Sequence, residues 1–167
     1  MTTEDAKLVL SKLPVSVNGW YGDAVQPTQW SDTLKKLHSL QNSNHSGPVM
    51  IATKYILNEN QIKYLHHNFP KVWIWWAITG LNEMFTLEEY SESYLLACQY
   101  LENIVCAIRP IVPGKNDHID KLIPILDMVE QGRKMITFAG VRDKLIEGSK
   151  KHVDQQLFEQ IYLECDR

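Results

Sequence analysis

Residues 72–79 read VWIWWAIT, a run in which no polar residue alternates with an apolar one. An antiparallel strand with one wet face alternates; a parallel strand covered on both faces does not. The run therefore predicts a buried parallel strand, and the chain repeats the theme. Further apolar runs fall at Val15–Gly19, Val49–Thr53, Ile104–Ile111 and Met135–Ala139. Helical patterns lie near Gln29–Leu40, Glu59–Asn68, Leu87–Glu102, Ile119–Gln131 and Lys150–Leu163, with a short helix at Thr3–Leu13. Strands and helices that alternate through short connections make right-handed βαβ units and an all-parallel sheet. Neither GxGxxG nor GxxxxGK[ST] follows any strand, which disfavours a nucleotide-binding doubly wound sheet. The expected architecture is α/β, a partial (β/α) TIM-like barrel of about five parallel strands with helices outside.

Helix boundaries carry their own signals. Thr86 with Glu89 forms a capping box ahead of Leu87, Tyr90, Tyr94, Cys98 and Leu101, which share one helical stripe. Ser31 and Asn58 are the expected N-caps of the two earlier helices, and Asp117 of the helix after the PIVPGKND loop. Pro124 falls inside that helix pattern, and Gly132 is its expected stop.

Composition removes several function classes. The chain has 167 residues, enough for one domain burying about 70% of its unfolded surface. It is 44% hydrophobic and 22% charged, which argues against disorder. A net charge of −3 gives no general attraction to nucleic acid or anionic lipid. No apolar run approaches the roughly 20 residues of a membrane span. The first residues, MTTEDAKLVL, lack the basic segment and apolar core of a secretory signal. A cytoplasmic protein is expected.

The metal-ligating residue types are poorly arranged for metal. Cys98, Cys106 and Cys165 show no CxxC spacing and read as small buried hydrophobes. His66 and His67 are adjacent and diverge by about 100° on a helix. The polar residues that follow the strands are more informative: Tyr21 and Asp23, Lys54, Thr79 and Asn82, Arg109 and Asp117, and Arg142. Parallel α/β folds place ligands at these carboxyl ends. Each also has a plain structural reading: Arg109 can pair with Asp117, Lys54 can be solvated, and Thr79 can cap a strand end. Trp73 and Trp75 share one face of their strand and Trp76 takes the other, which reads as core packing. Trp20 and Tyr21, in a glycine-flanked loop, are better placed to touch a ligand.

The ordered set VNGWYGDAVQPTQWSDTLKKLHSL, PVMIATK, VWIWWAITGLNE, VCAIRPIVPGKND and MITFAG resembles the radical S-adenosylmethionine (radical SAM) superfamily. The likeness is greatest to the branch that includes spore photoproduct lyase-like proteins, and it covers residues 13–142, leaving 143–167 as a C-terminal helix. The resemblance implies S-adenosyl-L-methionine as ligand. Gly22 and Asp23 match the loop near its amino group, and Lys54 and Arg109 match basic positions near its carboxylate. A bidentate guanidinium suits such a planar anion. Thr79 matches a residue near the ribose, and Phe138 to Gly140 match backbone along the adenine.

Radical SAM enzymes carry CxxxCxxC after their first strand, where thiolates hold a [4Fe–4S] cluster. The likeness here begins at the family's second strand, and TEDAKLVLSKL before it contains no cysteine. The resemblance therefore implies no metal site on this chain, with any [4Fe–4S] cluster held by a second protein chain that completes the barrel. Two unprotected edge strands, Val15–Gly19 and Met135–Ala139, also point to such a partner, a second copy or a different chain. Three functions stay open: one part of a split radical SAM enzyme, a catalytically inactive binding or scaffold protein, or an unrelated small α/β enzyme. No catalytic residue and no substrate emerge from the sequence.

Overall fold

A computed structural model describes residues 3–17, 22–81, 84–112 and 114–140. They form α1 (Thr3–Leu10), β1 (Val15–Ser16), α2 (Trp30–Asn42), β2 (Val49–Thr53) and α3 (Glu59–Asn68). These are followed by β3 (Trp73–Ile78), α4 (Leu87–Tyr100), β4 (Ile104–Ile111), α5 (Ile119–Gly132) and β5 (Met135–Gly140). The expected helix at Lys150–Leu163 lies outside the described residues.

All five strands are parallel and their spatial order is β1-β2-β3-β4-β5. A doubly wound sheet reverses its strand order once. An unreversed order, with each crossover right-handed, sends every connecting helix to the same face. The fold is therefore α/β with the topology of a (β/α) barrel opened between β1 and β5.

The helix-covered face holds the core. Ile74, Trp76 and Ile78 of β3 meet Ile104, Cys106 and Ile108 of β4 there, all at most 1% exposed. Trp76 lies 5.7 Å, centroid to centroid, from Tyr94 of α4, which fixes the side on which the helices lie. Burial of each such large apolar side chain contributes roughly 1.5–3 kcal/mol.

Several local expectations are met, and three are corrected. Thr86 and Glu89 form their capping box, and Asn58 forms another with Gln61. Helix α2 begins at Trp30, so Ser31 lies within its first turn; its N-cap is Gln29, which makes no side-chain cap bond. Helix α5 is capped by His118 and not by Asp117, again without a side-chain bond. Gly132 is the last residue of α5, but the left-handed residue that stops the helix is Arg133, with φ 52°. A Cβ on Gly132 would lie 2.7 Å from a Tyr94 ring carbon and 2.8 Å from Cys98 Sγ. Glycine is needed there for close approach to α4, not for the turn.

The N-terminal helix is shorter than expected, ending at Leu10, and β1 is only two residues long. Residues 18–21, with the rest of the expected first strand, lie outside the described residues.

Candidate site at the carboxyl ends of the strands

Asp23 sits where the chain leaves β1, and its carboxylate gathers three donors. Its Oδ1 accepts from Val25 N at 3.0 Å and from the Thr53 hydroxyl at 2.6 Å. Its Oδ2 accepts from Lys54 N at 2.5 Å. The Val25 bond is the local turn that aspartate makes with backbone two residues on. The other two bonds bind the β1 exit to the end of β2.

Arg109 occupies the sixth position of β4, where alternation turns it to the face opposite Trp76. The residue is exposed and its guanidinium carbon lies 5.5 Å from the centre of the Trp75 ring. No carboxylate among the described residues pairs with it, Asp117 included. The Arg109–Pro110 peptide is cis, and the ladder to β5 changes register between Ile108 and Ile111. Pro110 has no N–H to give that ladder.

Lys54 is exposed, and among the described residues only its backbone is engaged: its N–H by Asp23 and its carbonyl by the Tyr90 hydroxyl at 2.6 Å. Thr79 is buried and its hydroxyl oxygen accepts from Leu81 N at 3.0 Å. Gly22 is exposed beside Gln26 and Gln29. Phe138 and Gly140 pair through β5 with Ile108 and Ile111, one residue before and two after Arg109. Parallel topology thus brings Gly22, Asp23, Lys54, Thr79, Arg109 and the end of β5 to one rim. Trp20, Tyr21, Asn82, Pro113 and Arg142 lie outside the described residues.

The residue that organises this rim was not singled out by sequence reasoning. Asn116 is fully buried: its Oδ1 accepts from Val112 N at 2.6 Å, and its Nδ2 donates to Thr79 O at 2.5 Å and Pro110 O at 3.0 Å. It clasps the ends of β3 and β4 together. An asparagine after Pro-Gly signals a turn, but nothing local announces the bond to Thr79. Gln61, Thr33 and Ser93 play similar parts, donating to Val25 O, Ala24 O and Leu57 O. Asp117 has a buried Oδ1 without a hydrogen-bond partner among the described residues, 3.8 Å from His118 Nε2.

The thiols lie elsewhere. Cys98 of α4 and Cys106 of β4 belong to the helix-covered layer. Burial pushes the Cys98 thiol up to about 11 and the Cys106 thiol up to about 12. They are the two cysteines among the described residues, fewer than the thiolates a [4Fe–4S] cluster takes. Among the described residues no three His, Cys, Asp or Glu side chains converge to hold a metal ion. The described residues therefore do not fit a [4Fe–4S] cluster. None of their helices is long and apolar enough to cross a membrane. No protein-family model, curated protein or solved structure matches this chain.

Proposed function

We propose that this chain is the S-adenosylmethionine-binding part of a radical SAM-type barrel whose [4Fe–4S]-binding unit lies on another chain, in a cytoplasmic setting. The observation that carries the reading is Arg109. Its guanidinium is exposed on the face away from the helices, at the carboxyl end of a parallel strand, without a carboxylate partner among the described residues. A cation supported on an aromatic ring and lacking a counter-charge suits the carboxylate of an amino-acid ligand. Exposed Lys54 at the end of β2 supports the same reading.

S-adenosylmethionine would supply radical chemistry only beside a reduced cluster. This chain's own residues bind and orient. Asp23 is already committed to Val25, Thr53 and Lys54, so its part is to hold the β1 exit against β2 and set the position of Lys54. A partner chain is supported by apolar exposure at both ends of the sheet. In α1 and the turn after it, Leu8, Val9, Leu10 and Leu13 are 47–62% exposed, and Met135 of β5 is 54% exposed. Outer strands with an unpaired side invite such cover.

The engagement of Asp23 favours a second reading, a catalytically inactive binding or scaffold protein. Calorimetry separates the two, with the oligomeric state of the same sample followed by light scattering. S-adenosylmethionine should bind weakly, and Arg109→Ala should cost about 1.5–3 kcal/mol, roughly a tenfold to hundredfold loss. No heat at millimolar ligand transfers the case to the scaffold. A strict monomer removes the partner chain from the reading.

A further inference from the structure

A cavity of about 580 Å³ opens beside the β2 exit, between the first turns of α2 and α3 and the loop that leads into α4. We propose that it is a binding site for an uncharged, planar aromatic small molecule, separate from the rim that carries Arg109 and independent of the reading above. Four rings line it: Trp30, Tyr55, Tyr64 and Phe85. Three of them are held in place. Phe85 stands edge-on between Tyr55, at 5.6 Å, and Tyr90, at 5.7 Å. Tyr64 is fixed through its hydroxyl, 2.9 Å from His38 Nε2.

The chemistry of the lining selects the ligand. Among the described residues no Asp, Glu, Lys, Arg or His lines the cavity, so an ion entering it would lose water without gaining a counter-charge from them. Fixed rings favour a flat π-system through edge and offset-stacked contacts. The polar part of the wall is made of amides. Gln61 is spent, its Nε2 on Val25 O and its Oε1 on Asn58 N. The Nδ2 of Asn58 and the amide of Asn60 have no partner among the described residues, and both can donate to a ligand carbonyl or ring nitrogen. The volume lies inside the roughly 300–1,000 Å³ of small-molecule sites.

A merely imperfect helix seam is the competing explanation. Helices α3 and α4, like α4 and α5, pack directly, whereas α2 and α3 meet through polar bridges, His38 to Tyr64 and Gln41 Nε2 to Asn68 O. The exposed amides of Asn58 and Asn60 do not decide between the two; the rings held by neighbours favour a site.

The test is nitrogen-15 NMR titration of the whole chain, following the Trp30 indole N–H and the Asn60 side-chain amide. The ligands are quinolin-2-one, its saturated analogue decahydroquinolin-2-one, and naphthalene-2-sulfonate. Quinolin-2-one should give saturable shifts at both groups, with the saturated and the anionic compounds at least about tenfold weaker. Phe85→Ala should weaken quinolin-2-one about tenfold. Asn60→Trp, at an exposed rim position, should fill the cavity and abolish the shifts. If Phe85→Ala fails to fold, Asn60→Trp decides alone. Equal binding of the saturated or anionic compound, shifts that do not saturate, or undiminished binding by Asn60→Trp would overturn the proposal.

Discussion

The two faces of the sheet are built from equally apolar sequence and have different fates. On the helix side Ile74, Trp76 and Ile78 are closed off almost completely. One residue away, Trp73 and Trp75 are half-buried on the opposite side. Around Trp75 that side is made of small neighbours: Ala52 and Val105 stand level with it, and Ala77 and Ala107 pair in the next row. Arg109 lies over the ring. Among the described residues neither Trp75 nor Trp76 finds a partner for its buried indole N–H, so hydrogen bonding does not separate them. The difference is one of packing. The helix side provides stability, and the other side leaves room for a charged group.

The comparison breaks first if Trp76 and Trp75 prove equally costly to remove. Trp76→Ala should destabilise the chain by about 3–5 kcal/mol, as for a fully buried aromatic. Trp75→Ala should cost about 1–2 kcal/mol. Urea unfolding of both variants decides it, and equal losses would mean the open face is as tightly covered as the other.

Asn116→Ala comes next, at about 2–3 kcal/mol, because it removes the hydrogen bonds to part-buried Val112 N and to buried Thr79 O. Hydrogen exchange at the Val112 amide should quicken with it. Unchanged protection would show that the rim holds its shape without the clasp.

The last effect is alkaline and belongs to the helix side. Burial raises the Cys106 thiol from its ordinary 9.0 to about 12 in the folded chain. The unfolded chain therefore releases that proton first. The contribution to stability is whole below about pH 9 and is lost as pH rises through 12. The urea midpoint should fall with pH above 9, and Cys106→Ala should flatten that slope; an identical slope would place the thiol in contact with water.

Much of this was legible locally. The strands Val49–Thr53 and Ile104–Ile111, the helix Glu59–Asn68 and the Thr86 capping box stand where pattern put them, because each depends on residues within a few positions. VWIWWAIT marked a strand without polar alternation, and it could not tell which of its faces the helices would take. Cap assignments failed where polar candidates competed. Ser31 and Asp117 both have the right chemistry, yet α2 and α5 start from Gln29 and His118.

The bonds that tie the rim together were beyond reach for a different reason. Asp23 and Thr53 are 30 residues apart, and Asn116 and Thr79 are 37. Such bonds exist only once the strands stand side by side, and no sequence period encodes them. The sequence by itself determined where strands and helices form and that the strands run parallel, since hydrophobic period and capping act over one or two turns. Only the tertiary structure decided the order of those strands. The same βα rhythm serves a doubly wound sheet or an opened barrel, and the choice depends on the side of the sheet to which each crossover turns. Here every strand was added on the same side of the last, which keeps the connecting helices α2 to α5 off the face beneath Arg109.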